Sequence, residues 1–266
     1  MTPNPRVLAL TFHDIAANGA GEEPCAGGFS RVTAQELERI LLPLRQRGYQ
    51  TVSSRAFRSW QRGGGALPER AVVLTFDQGY ASHFDVATTL LRRHRFSGTF
   101  FVTVGRVGRD GYMTWDHLRT LVFLGMEIGS RGLSSEPFTQ LSRAQLDESL
   151  TASKRQLEQQ LGVPVRALAA PAGSWNGAVA EAAEQAGYDA VWAATVGTNG
   201  RETNPQALRR IIVRRPFSAD RVVAMVEGWQ PSFWWAANQQ LAIRALKRAL
   251  GAYRYEQLKR RLVPNA

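Results

Sequence analysis

Ala71-Val72-Val73-Leu74-Thr75-Phe76-Asp77-Gln78-Gly79-Tyr80 is the stretch that decides how this chain folds. Six almost wholly apolar residues run into a carboxylate, an amide and a glycine. An apolar run of this length suits a parallel strand covered on both faces. Asp77 and Gln78 then stand at its C-terminal end, where α/β proteins gather their polar groups.

The same unit recurs on both sides. Val7 to Phe12 is a first buried strand ending at His13-Asp14, and Gly98 to Val104 is a second strong strand after a helix over Phe84 to His94. Gly125 to Ser130 ends at Arg131, and Val165 to Ala170 ends at Pro171-Ala172-Gly173. Ala190 to Ala194 and Ile211 to Val213 follow as strands, and Val179 to Ala186 as a helix. Thr33-Ala34-Gln35-Glu36 reads as a capping box, while Thr114 and Ser142 cap two later helices. Strands alternating with helices imply a parallel α/β architecture. A distorted or incomplete (β/α) barrel fits about seven strands, and a doubly wound sheet fits almost as well on pattern alone.

Composition narrows the classes. The chain has 266 residues, 44% of them apolar, which is enough for one large domain with a real core. Val7 to Phe12 is too short for a signal core or membrane span, so a soluble, cytoplasmic protein is expected. Cys25 is the only cysteine, which excludes an internal disulfide, and nothing suggests a cysteine metal site. A formal net charge of +11 favours anionic partners, although an arginine-rich solvated surface would give the same figure. Nucleic acid is the weakest of those partners, because no finger, phosphate loop or RNA-binding aromatic signature accompanies the charge.

Five motifs in order carry a resemblance. They are Leu74 to Tyr80, Gly98 to Val102, Tyr112-Met113-Thr114-Trp115, Gly125 to Ser130, and Pro171 to Asn176. Together, over roughly Arg6 to Phe217, the sequence resembles the polysaccharide deacetylase family (the NodB-homology domain, carbohydrate esterase family 4). It is nearest the branch that contains poly-N-acetylglucosamine deacetylases. The resemblance implies a single domain over residues 1–228, built as an incomplete barrel.

It also implies a metal site that this chain has dismantled. The family motif is Thr-Phe-Asp-Asp-Gly, whose first aspartate is a general base and whose second binds a divalent metal. The matching residues here are Asp77 and Gln78. Two family histidines four residues apart complete the metal site; Arg131 and Ser135 stand in their places. An amide and a hydroxyl are poor ligands, and a guanidinium has no lone pair to give. No metal or other cofactor is therefore expected. The family's late histidine, a general acid, is missing too, since no histidine follows His117.

The remaining candidates are few. Asp77 and His13 are the candidate catalytic groups, Asp77 as a base and His13 as the imidazole left for acid/base work. Asp14, Gln78, His83, Arg131, Ser135 and Trp175 are candidate substrate contacts. Arg131 could hold a carboxylate, phosphate or oxyanion, or simply pair with Asp77. Trp175 could stack on a sugar. The expected ligand is an anionic or N-acylated sugar or glycan. Residues 229–266 form a second region: Trp229, Phe233, Trp234 and Trp235 precede a basic, amphipathic helical pattern expected to pack its apolar face on the barrel, and suited alternatively to an anionic membrane surface or a protein partner. Two functions remain open, a metal-independent amide hydrolase and an inactive relative that acts as an anionic glycan-binding or assembly protein; a metal enzyme with ligands such as His13, Asp14 and Asp77 is a third.

Overall fold

Alternation along the strands sorts the core into two layers. A computed structural model describes residues 5–16, 31–214 and 217–228 of the chain. Its elements in order are β1 (Val7–Phe12), β2 (Ile15–Ala16), β3 (Val32–Thr33), α1 (Ala34–Gln46), β4 (Gln50–Thr51), α2 (Ser54–Gln61) and β5 (Ala71–Gln78). Then come α3 (Thr88–Arg93), β6 (Thr99–Val102), α4 (Trp115–Phe123), β7 (Glu127–Ser130), α5 (Arg143–Leu161), β8 (Ala167–Ala169) and α6 (Gly177–Gln185). The last are β9 (Ala190–Trp192), β10 (Thr198–Asn199), β11 (Ile211–Ile212) and α7 (Ala219–Val226). Leu8, Leu10, Phe12, Leu74, Phe76 and Phe100 face outward and pack with the helices. Val7, Ala9, Val73, Phe101, Ala169 and Trp192 face inward, where α2 adds Phe57 and Trp60.

The sheet runs β10-β1-β5-β6-β7-β8-β9, parallel throughout except for β10. It is curled, not doubly wound. The chain from Leu208 to Val213 lies between its two ends: Leu208 bridges Trp192 of β9, and Ile211 pairs with Leu10 of β1. The result is an α/β domain with an incomplete barrel, the architecture that the alternating pattern suggested. β10 and β11 are only two residues each, which keeps this seam thin.

Three local features correct the sequence reading. The helix expected over Phe84 to His94 begins as one π turn, His83–Ala87, and becomes α-helical only at Thr88. The Thr88 hydroxyl donates to the His83 carbonyl at 2.7 Å, which stabilises that wide turn. α2 was not foreseen. Its N-terminus is held inside the curl by Glu127, which accepts from Arg55 N at 3.1 and 3.2 Å and from Thr99 Oγ1 at 3.1 Å. α7 was also unforeseen; it packs on α1, with Tyr49 donating to the Val226 carbonyl. The 229–266 region lies outside the described residues, as does the stretch 17–30 that contains Cys25. Among the described residues no helix is long and apolar enough to cross a membrane.

Gly129 is required by packing. A Cβ there would sit 2.5 Å from the Phe101 ring and 3.0 Å from the Ala167 carbonyl. We expect Gly129→Ala to cost about 1–3 kcal/mol by overpacking, read by urea unfolding. Gly177 meets nothing within 4 Å, so Gly177→Ala should change stability by less than about 1 kcal/mol. Equal effects of the two substitutions would contradict the packing argument.

Candidate functional site

Strand parity delivers Asp77 to the interior. Val73, Thr75 and Asp77 share one face of β5, so the carboxylate lies at the top of the inward layer, 2% exposed. Thr75 and Thr11 meet there through their hydroxyls at 2.9 Å. β7 ends two strands further round, beyond β6, and Arg131 reaches back from it. Its Nη1 donates to Asp77 Oδ2 at 2.8 Å.

A second guanidinium completes the cluster. Arg210 comes from the seam between β9 and β1. Its Nη1 donates to Asp77 Oδ1 at 2.7 Å and its Nη2 to Oδ2 at 3.2 Å, a bidentate pair. Arg210 also donates to the Trp192 and Ala193 carbonyls, both at 3.3 Å, and lies over the Phe101 ring. Nothing in the motif reading singled it out. Counting parity back from β11 would have placed it on the inner face with Leu208.

The electrostatics follow from these contacts. Burial pushes the Asp77 carboxyl up, but the attraction of Arg210 and then Arg131 outweighs it and holds the group at about 2. Burial pulls Arg131 down, with Asp77 opposing. Burial also lowers His13 and His83 to about 4, so both imidazoles are neutral at neutral pH. One anion and two cations remain.

The other expected residues separate into three groups. Gln78 and Ser135 do meet: Ser135 Oγ and Thr103 Oγ1 donate to Gln78 Oε1 at 3.0 and 3.2 Å. Gln78 adopts φ 88° and Gly79 φ 85°, a left-handed turn that lifts the side chain out of the strand pattern. His13 is half-buried beside the cluster, with a buried, unpartnered Nδ1. His83 is fully buried; its Nε2 and the His13 carbonyl oxygen are 2.5 Å apart. That carbonyl can only accept, so His83 carries its proton on Nε2 and has no exposed face for a substrate. Asp14 turns elsewhere, to Ser82 at 2.8 Å and Arg31 at 3.1 Å. Trp175 stands 38% exposed on the loop after β8, next to the strained Ala172 at φ 54°.

Comparison with known proteins identifies the scaffold. The polysaccharide deacetylase family model matches residues 64–191. YxkH of Bacillus subtilis (strain 168), whose name places it in that family, is 23% identical over 218 residues, covering 82% of this chain and 75% of YxkH. The chain belongs to the polysaccharide deacetylase family. The poly-beta-1,6-N-acetyl-D-glucosamine N-deacetylase of Escherichia coli (strain K12) is 29% identical over 133 residues; the match spans 44% of this chain but only 19% of that enzyme. Among solved structures, the Streptococcus pyogenes deacetylase PplD in complex with acetate superposes with TM-score 0.77 at 20% identity, covering 84% of this chain and 99% of that one. IcaB from Ammonifex degensii gives 0.71 at 22%, covering 83% and 97%. These two likenesses show the shared fold.

The deacetylase family's divalent metal does not fit the residues present. Gln78 offers one neutral oxygen already shared by two hydroxyls, Ser135 is one of those donors, and Arg131 brings a positive charge into the space. Both Asp77 oxygens are taken. Asp14 is committed to Arg31, so His13, Asp14 and Asp77 do not form a replacement set. Among the described residues no group of three His, Cys, Asp or Glu side chains could hold a metal ion. At family level this is carbohydrate deacetylase machinery with a degenerate metal crevice.

These pKa directions predict a two-stage acid response. Unfolded histidines titrate near 6.5, so the neutral burial of His13 and His83 contributes stability in full above that pH, lost as pH falls towards about 4. Asp77 adds a second loss from 3.8 towards about 2. Urea unfolding of His83→Gln should show a flatter decline between pH 6.5 and 4 than wild type; parallel curves would sink this account. At pH 7, Asp77→Asn should cost about 3–5 kcal/mol by leaving buried guanidiniums unpaired.

Proposed function

We propose that this protein binds an N-acylated or anionic sugar or glycan in the crevice at the C-terminal strand ends, without metal-driven deacetylation. One observation carries the reading. Asp77 is held ionised at about 2, with both oxygens bonded to guanidiniums. A general base works best with a pKa near the operating pH and a free oxygen. Asp77 has neither, so it serves as an anchor for Arg131 and Arg210. The names of the relatives support a carbohydrate ligand.

In this reading His13, Gln78 and Ser135 supply hydrogen bonds at the mouth and Trp175 a stacking surface for a sugar ring. Asp14 and His83 shape the backbone around His13 instead of touching the ligand. Residues 1–228 form the binding domain. Residues 229–266 are a basic extension for a protein partner or an anionic membrane surface, and the site of action is the cytoplasm.

A second reading has one observation in its favour. His13 stays neutral above about pH 4 and sits beside the cluster. It could take a proton from the attacking water while Arg131 stabilises the oxyanion, then return that proton to the amine nitrogen as the C–N bond breaks. Incubating the protein with N-acetylglucosamine oligomers, with zinc or with EDTA, separates the readings. We expect saturable binding and no acetate release in either condition. Zinc-dependent release would overturn the proposal. Release that ignores EDTA and disappears in His13→Asn would establish the hydrolase instead.

A further inference from the structure

The cluster at the strand ends is not electrically balanced. Asp77 supplies one negative charge, Arg131 and Arg210 supply two positive ones, and all three side chains are at most 4% exposed. Neither neighbouring histidine can offset the difference, since both are neutral. Buried charges usually find partners, because an unpaired ion away from water is costly.

The excess falls on Arg131. Arg210 is fully engaged: two bonds to Asp77 and two to backbone carbonyls. Arg131 spends only Nη1 on Asp77. Its Nε is buried with no acceptor among the described residues, and no side-chain bond of Arg131 other than that to Asp77 occurs among them. The unpaired Nε/Nη2 edge is the side of a guanidinium that grips a carboxylate through two parallel hydrogen bonds. Asp77 fixes the orientation of this edge in advance, so little ordering is left to be done on binding.

We infer that the unpaired edge of Arg131 is a carboxylate site, and that the ligand is an acidic sugar or glycan presenting a uronate-type carboxylate to it. The inference rests on the glycan-binding reading above and sharpens its ligand class. A carboxylate on Arg131 would balance the cluster and satisfy the orphan Nε together. Arg131→Gln is a suitable probe because Arg210 alone still holds Asp77 through both oxygens. The variant's cluster is neutral, so it should fold with an unchanged or higher Tm.

Calorimetric titration would use glucuronate-containing oligosaccharide, its neutral glucose counterpart, N-acetylglucosamine oligomer, acetate and inorganic phosphate. We expect the glucuronate ligand to bind at least tenfold more tightly than the glucose one. Arg131→Gln should erase that preference, and Arg131→Lys should keep only part of it. Acetate should compete with the acidic sugar in wild type. A preference for glucuronate that survives Arg131→Gln would overturn the inference, as would phosphate binding at Arg131 without carboxylate binding. If neutral N-acetylglucosamine oligomer binds equally well and ignores Arg131→Gln, the carboxylate site fails while the glycan reading stands. If acetate alone binds, in an Arg131-dependent way, the carboxylate site stands and the glycan reading fails.

Discussion

A single carboxylate shared by two guanidiniums sets the terms for the rest of this molecule. Asp77, Arg131 and Arg210 come from β5, the end of β7 and the seam between β9 and β1. Arg210 also holds the Trp192 and Ala193 carbonyls. The charged cluster therefore pins the thinnest part of the curled sheet to β5. The ion pairs are enclosed, so breaking one leaves a charge without water. Asp77 would be needed here even if it never met a substrate, and its presence is not evidence of catalysis.

The cluster can exist only because the interior is graded along the strands. Val7, Ala71, Ala9 and Val73 make the lower layers apolar, and α2 fills the lower end with Phe57 and Trp60. Phe101 spans the middle because Gly129 leaves it room. Thr11 and Thr75 form the next level, and Asp77, opposite Phe101 in the register, stands above them with its arginines. Apolar walls strengthen every electrostatic term above them. The same walls depress the imidazoles of His13 and His83 and leave Asp77 dependent on its arginines.

Much of this arrangement is legible in the sequence, and the gaps have physical reasons. β1, β5 and β6 are strong apolar runs, and the caps at Thr33, Thr114 and Ser142 are found as expected, each with its capping box. Asp77 against Arg131 follows from two strand ends on the same rim of the sheet, with β6 between them. α2 has a local N-cap in Ser53, but it is hidden because its sequence, Ser54 to Gln61, is polar apart from Ala56, Phe57 and Trp60, and Glu127, which accepts from Arg55 N, lies 72 residues further on. The π turn at His83 depends on a hydroxyl five residues later, a bond that hydrophobic periodicity does not register. Arg210 is hardest to see. Arg209 precedes it with the same chemistry, yet Arg209 is exposed and Arg210 buried. Only the parity of a two-residue strand distinguishes them.

The substitution pattern also has an internal charge logic. In the family arrangement that the motifs resemble, a divalent ion with its ligand aspartate carries a net charge of about +1 beside two neutral histidines and the base. In this chain Gln78 and Arg131 together carry the same charge. The exchange preserves the electrostatics around Asp77 while discarding what only a metal supplies: an open coordination position and a bound water made acidic. A guanidinium orients and attracts anions but does not activate water in this way. The Gln78–Arg131 exchange therefore keeps that local charge and loses the Lewis acid, while Arg210 adds a second cation beside Asp77. Such a field favours holding an acidic group over hydrolysing a neutral amide.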